Sequence, residues 1–293
     1  MTRVSPKVLG LLGALTFVWG TNWPLFRIAL DELPVLTFRT IVLAAAVVVL
    51  TLILLIRGES FAVPKGKWLP LIVASAMNIF VWNIATSFAV LYIPSGHASV
   101  LAYTMPLWVA VIGFVVFCQK LTGRLLAAIL IGAAAVVALM APNFRSYAQA
   151  PLGLFWGLFA GFCWAIGTFV VKRTTWPGMG LSLTFWQVLL TFPPIALGAL
   201  LIDGLPTHWP SAKALAATLY TGSIPMALGT ATWFALVKLL PAQVAALSSI
   251  AIPIVAIVSG ILILNEPLST LQAVAIASTV ISLWLALTPG RER

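Results

Sequence analysis

Ten apolar runs of bilayer-spanning length fill this chain almost from end to end, which leaves little freedom in what it can fold into. A helix that crosses a hydrocarbon core needs about 20 apolar residues. With Pro, Gly and charged residues as punctuation, the spans read 8–29, 34–56, 68–91, 94–118, 123–141, 151–171, 179–202, 212–237, 241–264 and 268–288. Connections such as "DELP" at 31–34 and "NEP" at 265–267 leave no room for a soluble domain or a long linker. The chain is 62% hydrophobic and 8% charged, where a soluble domain carries roughly a quarter of its residues as charges. In lipid every backbone polar group must be satisfied within its own segment, so runs of this length read as helices. The fold class is therefore an all-α integral membrane protein with ten transmembrane helices. The first run follows Arg3 and Lys7 as a signal peptide would. It is long, holds Asn22 and Trp23 and lacks an A-x-A exit, so it reads as the first span.

The net charge of +10 is spread singly and in pairs between the apolar runs, which excludes a nucleic-acid partner and reports orientation instead. Placed on alternating sides, twelve of the sixteen Lys and Arg residues fall on the side of the amino terminus: Arg3, Lys7, Arg57, Lys65, Lys67, Lys120, Arg124, Lys172, Arg173, Lys238, Arg291 and Arg293. Arg27, Arg39, Arg145 and Lys213 fall on the other. A miscounted span would mix the two sets. The split predicts a multi-pass protein of the inner (plasma) membrane with both termini in the cytoplasm.

The stretch "IPSGHASVLAYTMP" at 93–106 has a counterpart in "LPAQVAALSSIAIP" at 240–253. A shift of 147 residues pairs Pro94 with Pro241, Pro106 with Pro253, Gly113 with Gly260 and Leu121 with Leu268. A shift of 145 pairs Trp19 with Trp164 and Arg27 with Lys172. Proline and glycine are punctuation rather than apolar filler, so their coincidence carries the weight. The expectation is two five-span repeats, residues 1–141 and 151–288, within one membrane domain. Five is odd, so the second repeat must enter the membrane from the opposite side, and the repeats are inverted. Pro94 and Pro241 start helices, where a missing N–H costs little. Interior Pro106 and Pro253 each remove a backbone bond and read as paired hinges. Inverted repeats with matched weak points are the architecture of alternating-access transporters.

"LPAQVAALSSIAIPIVAIVSGILILNEPLS" resembles the signature of the EamA branch of the drug/metabolite transporter superfamily: a helix with an interior proline, a small-residue stretch, then Glu at the turn before the last span. Here those are Pro253, Gly260 and Glu266. "SFAVLYIPSGHASVLAYTMPLW" is similar to the first-half version, and "FVWGTNWPLFRIAL" to the first span with its W-G-[ST]-N motif. One departure is that the first-half counterpart of Glu266 is Gln119. The resemblance covers the whole chain and implies ten spans with both termini inside. Within that branch the tryptophan-rich spans resemble the YddG-type exporters of aromatic amino acids.

A transported solute is held near the midplane at the repeat interface, where polar side chains are costly without a use. Asn78, Trp82 and Thr86 recur at four-residue spacing on one predicted helical face. Ser99 and Tyr103 share a face with Pro106. Trp19 and Asn22 come from the first span, Trp164 from the sixth, and Ser248 and Ser249 from the ninth. The candidate solute-binding set is Trp19, Asn22, Asn78, Trp82, Ser99, Tyr103, Trp164 and Ser248, an aromatic box with amide and hydroxyl handles. Such a box suits a flat apolar side chain carrying an amino and a carboxylate group. Asn83 points about 100° away from Trp82 at α-helical pitch and ranks below Asn78. Gly153, Gly157 and Gly161 form a small-xxx-small packing stripe. Trp68, Trp176 and Trp209 belong to the interfacial belt. Cys118 and Cys163 read as small buried hydrophobes.

The six acidic residues, Asp31, Glu32, Glu59, Asp203, Glu266 and Glu292, all fall at span ends or in loops. A mid-depth carboxylate is the usual shared site of proton-driven drug antiporters, and its absence argues against that mechanism. Two histidines, two cysteines and no paired carboxylates offer neither a catalytic constellation nor a metal or cofactor site. The sequence thus predicts a non-enzymatic exporter of amino acids, aromatic or bulky apolar ones first. Its partners are a small-molecule solute and the lipid bilayer; the sequence leaves the oligomeric state open and is compatible with a monomer. The alternatives are export of another solute class (cationic drug, sugar, purine) and, behind it, a membrane-embedded lipid-modifying enzyme.

Overall fold

The computed structural model describes residues 6–118, 151–204, 208–239 and 242–266, with single positions at 123–134 and 270–281; for 237–239 and 242–251 it describes the backbone only. Expectations that fall elsewhere, including most of the spans at 123–141 and 268–288, Gln119, Pro241 and the Ser248 side chain, lie outside the described residues.

All regular secondary structure among the described residues is helical, with no strand. The helices are α1 (Pro6–Leu30), α2 (Val35–Arg57), α3 (Trp68–Tyr92), α4 (Ser95–Phe117), α5 (Pro151–Arg173), α6 (Leu181–Asp203), α7 (212–239) and α8 (Ala242–Leu264). Helices α2 to α6 are each long and apolar enough to cross a membrane. Punctuation sets the boundaries. Pro34 precedes α2, and Gly58, at φ 62°, ends it by turning its N–H back to the carbonyls of Leu54 and Leu55. Ser211 opens α7, its hydroxyl accepting from Ala214 N at 3.2 Å.

Helices of the first half pack chiefly on helices of the second: α1 on α8, α2 on α6 and α7, α3 and α4 on α5. Small residues allow this. A Cβ at Gly153 would meet Ile93 at 2.7 Å, one at Gly157 would meet Leu101 at 2.7 Å, and one at Gly161 would meet the Ala102 carbonyl at 2.8 Å. The stripe is thus a close contact of α5 on α4 and on the turn that precedes it. Gly161→Ala should therefore lower the thermal midpoint in detergent, because a backbone oxygen cannot yield as a side chain would; overpacking costs about 1–3 kcal/mol. Gly13→Ala, where a Cβ meets nothing within 4 Å, should be neutral or mildly stabilising. Equal midpoints for the two variants would mean that α4 and α5 can separate freely.

One end of the bundle is stitched by carboxylates that cap helix starts. Asp203 accepts from Thr37 N (2.7 Å) and Oγ1 (2.8 Å) in the first turn of α2. Glu266 accepts from the Ser95 and Gly96 amides of α4 at 2.8 and 3.3 Å. Glu32 accepts from Ser211 N and Oγ before α7, both at 2.6 Å, and these bonds hold its carboxyl below the usual carboxylate range. Each satisfies amides that a helix start leaves unpaired and places negative charge at the positive end of the dipole.

Two backbone features recur at the offset of 147 that aligns the prolines. A π-helical segment occupies Ser75–Val81 in α3 and Gly222–Gly229 in α7, their first residues 147 apart. Cys118 and Asn265, just past α4 and α8 and again 147 apart, are the non-glycine positive-φ residues of the described chain, at φ 50° and 54°. A third feature does not recur. Helix α4 is interrupted at Tyr103 and Thr104, with Pro106 in the first turn of the segment that follows, whereas α8 runs unbroken through Pro253. Cys163 is buried as expected, but Cys118, at a helix end, is exposed.

Candidate functional site

The helices surround a half-open central cavity of about 60 Å³. Helix α1 contributes Trp19, Asn22, Trp23 and Phe26; α3 contributes Ile79, Trp82 and Asn83; α4 contributes Tyr103 and Met105; α5 contributes Trp164; and α7 contributes Thr221, Pro225, Met226 and Thr230. One residue of α2, Arg39, completes the wall. Among the described residues no carboxylate lines it.

The wall is a ladder of rings. Trp164 and Trp82 have centroids 4.6 Å apart, Trp82 and Tyr103 6.1 Å, Tyr103 and Trp23 6.3 Å, and Trp23 and Phe26 5.7 Å. Most contacts are tilted or edge-on, the arrangements favoured by the ring quadrupole. Trp19 lies 5.6 Å from Trp233 and donates Nε1–H to the Pro225 carbonyl at 3.0 Å. That carbonyl belongs to the π-helical part of α7, where the i→i+5 pattern and a proline free backbone acceptors. Asn22 Oδ1 accepts from Thr221 Oγ1 at 2.8 Å. A cavity of this size holds a few waters, whereas sites for organic ligands run to roughly 300–1,000 Å³. Admitting a solute the size of an amino acid requires the rings to part.

Five of the eight sequence-derived candidates, Trp19, Asn22, Trp82, Tyr103 and Trp164, thus meet around one cavity. Three do not. Asn78 is buried against Gly167 and donates Nδ2–H to Gln187 at 3.4 Å, away from the wall. The cause is the π-helical stretch Ser75–Val81, which winds less per residue than an α-helix, so a face counted at α-helical pitch back from Trp82 misplaces Asn78. Asn83, ranked below it, lines the cavity instead. Ser99 is buried with its hydroxyl donating to the Gly96 carbonyl at 2.6 Å, off the wall. The Ser248 side chain lies outside the described residues.

Arg39 is the main cavity residue that charge counting passed over. Assigned to a flank, it is 2% exposed and reaches between Phe26 and Phe38 to the hydroxyls of Ser87 and Thr86. The available signal was its place inside an apolar run, five residues past Pro34, where a cation is expensive.

Apolar helices of membrane-spanning length packed about an aromatic cavity make this a membrane protein, and the family it matches makes it a transporter. The chain belongs to the EamA-like transporter family, whose model matches residues 7–141 and 151–288. It is 26% identical over 291 residues to the uncharacterized transporter YvbV of Bacillus subtilis, covering 97% of this chain and 92% of that one. It is also 26% identical over 277 residues to a probable amino-acid metabolite efflux pump of Escherichia coli, covering 90% and 89%. A crystal structure shares the fold with a TM-score of 0.68 at 18% identity, over 96% of this chain and 95% of the other.

Proposed function

We propose that this transporter exports amino acids, those with aromatic or bulky apolar side chains first, from the cytoplasm across the inner membrane by alternating access. The observation that carries the reading is the ring ladder from Trp164 to Phe26 around a cavity on which no described carboxylate lies. Flat apolar side chains gain by stacking on such a wall. The name of the Escherichia coli relative, an amino-acid metabolite efflux pump, points the same way.

The alternating-access part rests on two inverted five-helix repeats, residues 1–141 and 151–288. Matched π-helical segments and matched left-handed helix ends, each 147 residues apart, support it. So does the mismatch at the prolines: two equivalent helices, one broken at Pro106 and one unbroken through Pro253, are what a pair that exchanges shapes would show in one state. Both termini are in the cytoplasm in this reading.

Counterflow in proteoliposomes tests the function. Phenylalanine loaded inside should drive uptake of labelled phenylalanine, and an imposed pH gradient should change little, since no carboxylate lines the cavity. Preference for a sugar, a purine or a cationic amine over every amino acid would overturn the substrate reading. Cysteine labelling of residues 57–67 from the outside would overturn the orientation.

A further inference from the structure

We propose that Arg39 is the anion-binding group of the central cavity, holding the carboxylate of the transported solute, and that the amide oxygen of Asn83 accepts from its ammonium group. This rests on the amino-acid reading above and narrows it to solutes with a free carboxylate.

A guanidinium carries its charge at all physiological pH and offers five N–H donors in a fixed fork. Two of them are occupied here: Nε donates to Ser87 Oγ at 2.6 Å and Nη2 to Thr86 Oγ1 at 3.0 Å. The rings of Phe26 and Phe38 lie 4.1 and 4.8 Å from the guanidinium carbon. Hydroxyls and ring faces solvate a cation, but they do not neutralise it, and an uncompensated buried charge is costly. The described carboxylates are all engaged elsewhere. Asp31 pairs with Arg27 at 2.9 Å and Glu59 with Arg57 at 3.4 Å, while Glu32, Asp203 and Glu266 cap helices. No described carboxylate is left for Arg39. A cation on a cavity wall without a resident counter-ion fits an anion that comes and goes.

Asn83 supplies the second, independent observation. It is 1% exposed and lines the same cavity. Its Nδ2 donates to the Ile79 carbonyl at 2.7 Å, which fixes the amide orientation and turns Oδ1 away from that bond. Oδ1 is buried with no hydrogen-bond partner in the protein, an acceptor left for whatever enters the cavity. Thr86, which the guanidinium touches, follows Asn83 by three residues on α3, so the two are neighbours on one helical face. An anion site and a cation acceptor one helical turn apart match the two charged groups of an α-amino acid. Phe26 then starts the ring ladder on which the solute's side chain would lie. The same cation repels amine drugs, a discrimination made by unfavourable rather than favourable contact.

The test measures binding to the purified full chain by calorimetry with four probes: L-phenylalanine, L-phenylalaninamide, phenethylamine and 3-phenylpropionate. Removing the carboxylate, as in the amide and the amine, should weaken binding by about tenfold to a hundredfold, the range for a hydrogen bond to a charged group. Arg39→Lys keeps the charge and loses the fork. It should weaken phenylalanine while retaining a preference for acid over amide, and Arg39→Gln should abolish that preference. The four-probe comparison uses the unaltered chain, so it stands even where a variant fails to fold. If phenylalaninamide binds as tightly as phenylalanine, Arg39 is not the anion site and the amino-acid reading survives. If 3-phenylpropionate binds and phenylalanine does not, the anion site is upheld and the amino-acid reading falls. If no probe binds, both fall.

Discussion

Replacing Trp82 or Trp164 with alanine is expected to weaken apparent affinity for phenylalanine by several-fold to over a hundredfold, and affinity for alanine much less. The two rings meet in a tilted contact, centroids 4.6 Å apart, in the described state, each covering apolar surface the other would expose. When the cavity opens to admit a solute, that surface becomes available to an aromatic side chain. Stacking contributes about 0.5–1.5 kcal/mol per ring pair beyond area burial, and truncating Trp to Ala also removes apolar area at about 25 cal/mol per Å². A solute with only a methyl side chain reaches neither ring, so its head group alone should set its affinity. Trp82→Phe keeps a ring and should recover most of the loss. The measurement is the ratio of apparent affinities for phenylalanine and alanine in variants with normal thermal midpoints. An unchanged ratio would mean that the two rings serve packing and not recognition.

Much of the bundle was legible because bilayer thickness fixes helix length and proline, glycine and charge mark the ends. The run expected at 34–56 is Val35–Arg57, that at 68–91 is Trp68–Tyr92, and that at 179–202 is Leu181–Asp203. Large aromatic rings in the middle of a span were legible too, since Trp19, Trp82 and Trp164 reach the cavity from three helices. Rotational phase was harder to read. A period of 3.6 residues holds only while the i→i+4 pattern holds, and Ser75–Val81 departs from it, so Asn78 and Asn83 exchanged places. Short hydroxyl side chains were unreadable for another reason. Ser99 had a carbonyl of its own helix within reach at 2.6 Å, and the sequence does not say whether a serine will take that bond or face a cavity. Arg39 was hidden by the counting rule itself. Sorting cations by side treats each as a flank, whereas this one lies a turn inside α2 with its guanidinium buried among Phe26, Phe38, Thr86 and Ser87.

Pro253→Ala is expected to slow transport by about a hundredfold while leaving the protein folded. Helix α4 is broken before Pro106, and α8 is continuous through Pro253. If the repeats exchange shapes during transport, α8 must break where α4 is broken now, and α4 must close. A proline inside a helix removes one backbone hydrogen bond and clashes with the preceding turn, at a cost of roughly 3 kcal/mol. That cost falls on the continuous form of α8, so the native proline raises the described state toward the exchanged one. Alanine removes the penalty and deepens the described state by the same amount. With a tenfold change for every 1.4 kcal/mol, 3 kcal/mol makes the exchanged state about a hundredfold rarer. Binding in the described state should change little, since Pro253 does not line the cavity, and the thermal midpoint should rise. Pro106→Ala acts on the other arm: it removes a reason for α4 to be broken now and favours the exchanged state, while losing a proline that sits without strain at a helix start and restricts the unfolded chain should lower the midpoint. Opposite shifts in midpoint from equivalent substitutions are difficult to obtain from local packing alone. Two equal shifts, or an unchanged counterflow rate in Pro253→Ala, would mean that these prolines are tolerated residues and not hinges.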